Sequence, residues 1–207
     1  MSKSDKRQVG GDHGQFYYWG PLLFRGKLDS STVKKILKLC DKNKNNDWRH
    51  HLAGDIKDEY LIDEKKLQHI LTPHLYAFKT AYKHWYNLNC DEVTASINKA
   101  WVNYMKPGDS NPFHVHGGCH FSSVIYLKVP KGLDKEIKEY KGTAAGPGSI
   151  MFMYGEDSPY NLTWRDFKPE VGDMFIFPYS LRHGVNPYKS PGERISIAVN
   201  YVIEASK

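Results

Sequence analysis

The sequence predicts a mainly β protein, a sandwich or jelly roll, with helices at its N-terminal end. Helical periodicity is confined to roughly the first 90 residues, and from about Cys90 the hydrophobic period changes to two. Turn segments rich in glycine and proline separate the extended runs: KPGDSNP, KVPKG, TAAGPGS, EVGD and YKSPGE. Short strands at this spacing favour two packed sheets with the helices covering one face. The length of 207 residues suits one domain.

Two helices are predicted before the strands begin. In Ser30–Asn43 one helical face carries Val33, Ile36, Leu37 and Cys40, and Ser30 or Ser31 is available as the N-cap. A second helical region runs from about Asp63 to Asn87. Pro73 lies inside it and is expected to kink or divide it.

The predicted strands are Val93–Met105, Phe113–Val129, Ser149–Tyr154, Tyr160–Trp164, Met174–Pro178 and Arg194–Ile203. Residues 1–14 are predicted to be a flexible tail. The remainder, 15–207, is predicted to be one domain, with helical support over about 28–88 and a barrel over about 90–203. No second domain boundary is indicated.

The composition narrows the class of protein further. Hydrophobic residues make up 40% and charged residues 25%, near the globular average, which argues against disordered and collagen-like chains. No apolar run approaches the ~18–20 residues that a membrane span needs. Three cysteines, Cys40, Cys90 and Cys119, are too few and uneven for a disulfide framework and favour a reducing compartment. We therefore expect a soluble, cytoplasmic protein without a membrane partner.

The net charge of +6 is weaker evidence. Many lysines between positions 34 and 44 carry it, and few aromatic residues interleave with them. This pattern is more typical of the solvated face of a helix than of a nucleic-acid surface. A nucleic-acid partner is not expected, although the charge alone does not exclude one.

The densest chemistry lies at 114–120, in His-Val-His-Gly-Gly-Cys-His. Side chains alternate along a strand, so His114 and His116 should share a face with Cα atoms about 6–7 Å apart. Two imidazoles at that separation can bind one metal ion, and imidazole suits iron, zinc, copper and nickel alike.

A second cluster strengthens this interpretation. The apolar run Phe175–Pro178 leads to His183, where a further ligand could complete a site. The strand that begins at Arg194 should place Arg194, Ser196, Ala198 and Asn200 on one face. A guanidinium and a hydroxyl on an interior face can bind a carboxylate.

Taken in chain order, these residues resemble the Fe(II)- and 2-oxoglutarate-dependent oxygenases, particularly their prolyl-hydroxylase-like branch. The matching features are Tyr104 ten residues before His114, His114-x-His116, Tyr126-Leu127, His183-Gly-Val185-Asn-Pro187 and Arg194-Ile-Ser196. The resemblance covers about residues 98–203. Small oxygenase-like proteins of phages and marine bacteria are more similar still, and a phage-encoded origin is therefore one expectation.

The resemblance implies a double-stranded β-helix, a distorted, cupin-like jelly roll. It implies Fe(II) on His114 and His183, with 2-oxoglutarate as cosubstrate and O2 as oxidant. Arg194 would bind the distal carboxylate of 2-oxoglutarate with Tyr126 and Ser196, and Tyr104 would line the same pocket. The implied activity is that of a dioxygenase, in particular a hydroxylase. The substrate stays open among protein side chains, nucleobases and metabolites.

The sequence departs from the family pattern at His116, where a carboxylate is usual. One interpretation is a three-His site, which strand alternation favours. The others are a two-His site with His116 serving the substrate, a site that uses His120 instead, and an inactive barrel.

Two further functions remain open beside the oxygenase. One is a cupin-type dioxygenase with three His ligands and no 2-oxoglutarate, which would not need Arg194 and Tyr126. The other is a non-catalytic barrel that binds a metal or a small acid. Substrate specificity is expected in the loops at 106–112 and 155–170, because loops at a barrel mouth carry recognition.

Overall fold

The structure is a computed structural model that describes residues 20–42, 46–85, 87, 92–159 and 162–206. The helices are α1 (Ser30–Leu37), α2 (Glu64–Trp85) and α3 (Leu133–Glu139), and a 3₁₀ turn spans Arg49–His51. The strands are β1 (Phe24–Lys27), β2 (Glu59–Leu61), β3 (Glu92–Met105), β4 (Asn111–His114), β5 (Phe121–Lys128), β6 (Ile150–Met153), β7 (Trp164–Phe167), β8 (Asp173–Pro178), β9 (Arg182–Val185) and β10 (Arg194–Ser206).

The strands form two antiparallel sheets. The larger has six strands in the order β1-β8-β5-β10-β3-β2, and the smaller has four in the order β4-β9-β6-β7. From β3 to β10 the chain crosses repeatedly between the two sheets, which is the arrangement of a double-stranded β-helix. The mainly β fold class is confirmed. None of the described helices has the length and apolar character needed to cross a membrane.

The larger sheet is covered on both faces. Its outer face packs against α1 and α2. The buried side chains of α2 recur at helical spacing, at Leu67, Leu71, Leu75 and Phe78. Its inner face packs against the smaller sheet through a second apolar cluster that includes Phe152, Phe175 and Phe177. The functional cavity lies on this inner side.

The alternation along β10 is confirmed. Ile195, Ile197, Val199 and Tyr201 belong to the core under the helices. Arg194, Ser196, Ala198 and Asn200 line the cavity between the sheets. Since a strand has a period of two, this one strand separates the apolar core from the polar site.

Both N-terminal helices exist, with two differences from prediction. Asp29, rather than a serine, caps α1, because its carboxylate accepts hydrogen bonds from the backbone of Ser31 and Thr32 at 2.8 and 3.0 Å. Pro73 does not divide α2, which continues from Glu64 to Trp85. The buried apolar stripe on either side of Pro73 offsets the loss of one backbone hydrogen bond.

Four predicted strands correspond to observed ones, namely β3, β6, β8 and β10, and the other two predictions are wrong. The predicted strand Phe113–Val129 is two strands, β4 and β5, and the strand predicted at Tyr160–Trp164 lies instead at Trp164–Phe167. The prediction missed β1, β2, β9 and α3, which have at most seven residues each and too little periodicity to detect. The predicted tail at 1–14 and Cys90 lie outside the described residues, and the division of the domain stays a prediction.

Candidate active site

The inner faces of the two sheets enclose a cavity of about 470 Å³. Strands β3, β5 and β10 of the larger sheet and β4, β6 and β9 of the smaller sheet contribute to its wall. Residues 48–59, which precede and begin β2, form another part of that wall. This volume is in the range of small-molecule sites.

Three histidines meet in the cavity. His114 ends β4 and lies opposite His183 of β9 in the strand register, and His116 follows in the loop after β4. One ring nitrogen from each of the three lies within 4.8 Å of the others, and the Nε2 atoms of His116 and His183 are 3.1 Å apart. Two nitrogens bound at right angles to one metal at ~2.1 Å would be about 3 Å apart. The three side chains are thus already gathered for one ion.

Backbone carbonyls fix the orientation of two of these rings. His114 Nδ1 donates to the Pro112 carbonyl at 2.8 Å, and His183 Nδ1 donates to the Leu181 carbonyl at 3.0 Å. With the proton held on Nδ1, each Nε2 presents a lone pair to the cluster. Metal-binding histidines are commonly held in this way.

Side chains hold the third ring. His116 stacks on Trp101 with ring centroids 5.7 Å apart and hydrogen-bonds to Asn200. The Oδ1 atom of Asn200 also accepts from the Ser122 hydroxyl at 2.9 Å. Sequence reasoning placed Asn200 on the cavity face but gave it no function, and it missed Trp101.

Burial keeps all three imidazoles neutral. It lowers the pKa of His183 to about 3 and that of His116 to about 4; a charge on His114 would add to both shifts, and a charge on His116 would add to that of His183. Burial also lowers the pKa of His114. A metal binds only the neutral ring, and three neutral nitrogens suit Fe(II) as well as zinc, copper or nickel. The donor set therefore fits an iron centre.

Arg194 is a buried cation in the same cavity. Its side chain donates from Nη1 to the Gly148 carbonyl at 2.9 Å and from Nη2 to the sulfur of Met105, while Nε has no partner. The residue is 2% exposed, and the ionisable groups that act on it are tyrosines rather than a carboxylate. Burial lowers its pKa, but a guanidinium stays protonated. Arg194 thus has no counter-ion among the described residues, and a buried unpaired cation favours the binding of an anion.

Tyr126 and Ser196 lie beside this guanidinium. The Tyr126 ring is 5.5 Å from the Arg194 guanidinium carbon, and Ser196 faces Tyr126 across the β5–β10 pair. The Tyr126 hydroxyl is buried without a hydrogen-bond partner, and burial raises its pKa to about 12. It therefore carries its proton and can donate to an anion. An incoming carboxylate would satisfy both the phenol and the guanidinium.

Tyr104 is placed elsewhere, and the expectation that it lines this pocket is wrong. Its ring lies in the core under the helices, 6.2 Å from the Tyr60 ring and with the Lys42 ammonium 4.4 Å from its centroid. Asn103 and Met105, its neighbours in β3, point toward the inner side instead. Alternation along β3 therefore excludes Tyr104 from the cavity.

His120 also lies outside the cluster. Gly118 adopts a φ of +68° in the turn between β4 and β5, and His120 emerges near β10. There its Nδ1 accepts from the backbone N–H of Ile203 at 2.9 Å. The interpretation that put His120 on the metal in place of His116 is therefore wrong.

The part of the wall formed by residues 48–59 was not predicted. Glu59 is 1% exposed and lines the cavity, and its Oε2 has no hydrogen-bond partner. Of the described residues in the two loops expected to carry specificity, Asn111 lines the cavity and the described part of 155–170 does not. A three-residue strand with one acidic residue is too short to show a hydrophobic period, so no sequence pattern indicates this part of the cavity wall.

Comparisons with known proteins agree with this geometry. A family described as "Putative 2OG-Fe(II) oxygenase" matches residues 99–200. A prolyl-4-hydroxylase from Pseudomonas putida superposes with a TM-score of 0.55 at 15% identity, over 87% of this chain and 91% of that one. The viral collagen prolyl hydroxylase of Paramecium bursaria Chlorella virus-1, solved as a 2OG complex, superposes with a TM-score of 0.55 at 17% identity, over 89% and 96%.

A third solved structure is HygX from Streptomyces hygroscopicus with nickel and 2-oxoglutarate bound. It superposes with a TM-score of 0.52 at 13% identity, over 88% of this chain and 82% of that one. No curated protein sequence is similar enough to this chain to count as a match. At such low identities the solved structures establish the shared fold.

The family match spans the histidine cluster, Tyr126 and Arg194. This half of the chain matches the model of the 2OG-Fe(II) oxygenase family, and the whole chain has the fold of that family's prolyl-hydroxylase-like members. It is an oxidoreductase, a non-haem dioxygenase that uses Fe(II), 2-oxoglutarate and O2.

Proposed function

We propose that His114, His116 and His183 together bind the Fe(II) and that the enzyme hydroxylates its substrate. The observation that carries this proposal is that one cavity contains both the three-imidazole cluster and a buried guanidinium without a counter-ion. The first feature suits a metal and the second a carboxylate, and the dioxygenase reaction needs both in one place.

Arg194, Tyr126 and Ser196 form the proposed binding site for 2-oxoglutarate. The guanidinium would bind the distal carboxylate of the cosubstrate, and the Tyr126 hydroxyl would donate a second hydrogen bond to it. Charge-assisted hydrogen bonds of this kind are about twice as strong as neutral ones. The unpartnered Nε and Oη atoms are then satisfied only when the cosubstrate is present.

Held by these residues, Fe(II) would supply the activation of O2, with one oxygen atom ending in the succinate formed with CO2 from 2-oxoglutarate and the other inserted into a C–H bond of the substrate. The residues of this chain bind and orient the two organic molecules and keep water from the reacting atoms. The proposed role of His116 is to complete a set of three neutral ligands, held in place by Trp101 and Asn200.

A second candidate, a three-His dioxygenase that does not use 2-oxoglutarate, draws support from the donor set alone. Three imidazoles without a carboxylate suit such an enzyme. It would leave the burial of Arg194 beside Tyr126 without a function, since burying an unpaired charge destabilises the fold. We therefore favour the 2-oxoglutarate enzyme.

Anaerobic absorption spectroscopy tests the proposed ligands. The protein would be titrated with Fe(II) and then with 2-oxoglutarate, and we expect a visible charge-transfer band that needs both. Arg194→Ala should lose the band while keeping its affinity for iron, because the guanidinium binds the cosubstrate and not the metal. Arg165→Ala removes an exposed guanidinium of β7 and is the matched control.

Two outcomes would contradict the proposal. Iron binding without such a band would favour the enzyme that does not use 2-oxoglutarate. A band that Arg194→Ala retains at the same cosubstrate concentration would assign the carboxylate to another residue.

A further inference from the structure

Glu59 lies in a row of inward-facing residues that crosses the larger sheet. Strand register pairs Glu59 of β2 with Asn103 of β3, Asn103 with Ser196 of β10, and Ser196 with Tyr126 of β5. All four line the cavity. Three steps between neighbouring strands separate Glu59 from Tyr126, which is about 14 Å. The backbone of Glu59 is therefore about 10 Å from Ser196, the nearest residue of the cosubstrate site, and farther from Tyr126.

Three oxygen acceptors in this part of the cavity have no hydrogen-bond partner in the part of the chain that the structure describes. They are Oε2 of Glu59, Oδ1 of Asn103 and Oδ1 of Asn111, and all three atoms are buried. A backbone bridge between Asp55 and Ser110 joins the loop before β2 to the chain that enters β4 with Asn111. Buried acceptors without donors cost free energy, so the arrangement requires a ligand that donates several hydrogen bonds.

The cations near Glu59 are engaged elsewhere. Arg49 donates to the Asp47 carboxylate, with Nε at 2.9 Å from Oδ1, and Lys99 pairs with Glu64 at 3.2 Å. The electrostatic interactions of Arg194 are with the two tyrosines beside it, Tyr126 and Tyr188, and not with Glu59. The carboxyl of Glu59 therefore has no internal counter-ion among the described residues.

The remaining wall of this region suits the stem of a basic side chain. Trp48, Leu52 and Ile56 line it, and the ring of His51 stacks on Trp48 at 3.9 Å. The Lys99 ammonium already lies 5.3 Å from the centroid of the Trp48 ring. The two aliphatic groups are therefore left to contact the methylene chain that carries an ammonium or guanidinium.

We propose that Glu59, with Asn103 and Asn111, binds a cationic, hydrogen-bond-donating group of the substrate, an ammonium or guanidinium on an aliphatic stem. The proposal rests on the proposed function, because it makes this group part of the molecule that is oxidised. Such cations carry three to five donors and no acceptor, which matches three acceptors without donors. The substrate class is then a basic side chain or an alkyl amine.

Burial raises the pKa of Glu59 to about 8. The fields of Asp47 and Asp109 add to this shift, and the field of Arg49 opposes it. The empty site therefore keeps a largely neutral acid at neutral pH, which limits the cost of burial. A bound cation would stabilise the carboxylate and lower that pKa.

Calorimetric titration with n-butylguanidinium and with its neutral analogue N-butylurea tests the proposal. We expect the cation to bind at least tenfold more tightly than the urea. Glu59→Gln should remove at least tenfold of the cation's affinity and leave that of the urea unchanged. Glu139→Gln, which neutralises an exposed carboxylate of α3, is the matched control and should bind like the native protein.

The native protein provides a second measurement that needs no variant. Since a guanidinium stays protonated, its affinity should rise as the pH passes upward through about 8 and Glu59 ionises. The affinity for N-butylurea should stay constant. Equal affinity for the two compounds, a pH-independent preference, or no binding of either would overturn the proposal.

These titrations separate this inference from the proposed function. They are run on the metal-free protein and again under anaerobic conditions with Fe(II) and 2-oxoglutarate. If the charge-transfer band fails to form but the cation binds through Glu59, the cation subsite stands and the assignment of the cosubstrate fails. If the band forms normally and the cation is not preferred, the cosubstrate site stands and the cation subsite fails.

Discussion

The two ends of the cavity differ in the kind of polar atom that they leave without a partner among the described residues. At one end Arg194 and Tyr126 present Nε and Oη groups without acceptors, and at the other Glu59 and the two asparagines present oxygens without donors. The Arg194 and Glu59 side chains are both buried, and neither compensates the other. The difference is what we would expect of a site that binds an anionic cosubstrate at one end and the proposed cationic group at the other.

Leaving both ends unpaired costs stability. Each buried polar atom without a partner costs about 1–3 kcal/mol, and a charged one costs more. A fold that retains such groups in one cavity has a use for them, since apolar residues of similar size would be more stable. Substitutions at four positions test this contrast, and the largest effect is expected at the metal cluster that both ligands must approach.

Replacing His183 by alanine should have the largest effect. It removes a proposed iron ligand whose ring the Leu181 carbonyl orients, so we expect Fe(II) affinity and succinate formation to fall by about 100-fold or more. Iron titration and a 2-oxoglutarate turnover assay measure this. His120→Ala is the matched control because that imidazole lies outside the cluster, and an equal loss in both variants would contradict the assignment.

Arg194→Lys should separate the two ends. A lysine keeps the charge but loses the planar fork, and we expect 2-oxoglutarate to bind about 100-fold more weakly. The affinity for n-butylguanidinium should not change, since Glu59 lies on the far side of the sheet row. Calorimetry with each ligand makes the comparison, and a parallel loss of both affinities would mean that the ends are not independent.

His116→Ala distinguishes a three-His centre from a two-His centre. If His116 is a ligand, the variant should bind Fe(II) at least about tenfold more weakly. An iron affinity equal to that of the native protein would instead assign His116 to the substrate. Asn200→Ala, which removes a hydrogen bond to the His116 ring, should give a smaller loss in the same titration.

Glu59→Gln should have the smallest effect, a gain in stability of the ligand-free protein. The pKa of the Glu59 carboxyl is 4.5 when unperturbed and about 8 in the fold. Stability therefore falls as the pH rises from about 4.5 to about 8, because the unfolded chain ionises first. Urea unfolding should show the glutamine variant more stable by about 1–3 kcal/mol above pH 8 and equal to the native protein near pH 4. A constant difference across that range would place the carboxyl in a solvated environment.

The Arg194 end was predictable from sequence, and the Glu59 end was not. A cation and a hydroxyl two residues apart at the start of a long apolar strand must share one face, and the strand register bears this out. Glu59 belongs to a three-residue strand, and a single acid there has the same appearance as a solvated charge. Only its pairing with β3 places it beside Asn103 in the cavity.

Two errors have a related physical cause. Alternation along β3 places Asn103 and Tyr104 on opposite faces of the sheet. Both faces are covered, one by the helices and the other by the smaller sheet. Period two therefore cannot tell which face is the site. His116 reaches the cluster from a loop after β4 rather than from the shared strand face that alternation predicted.

The sequence by itself determined the mainly β fold, the face of β10 that carries Arg194 and Ser196, and the histidines that could bind a metal. These follow from local periodicity and residue chemistry, which need no partner strand. Tertiary structure alone decided which face of β3 lines the cavity and that His116 rather than His120 joins the cluster. It also decided that Glu59 lines the same cavity as Arg194. These depend on which strands and loops pack together, and contacts between distant parts of the chain leave no period in the sequence.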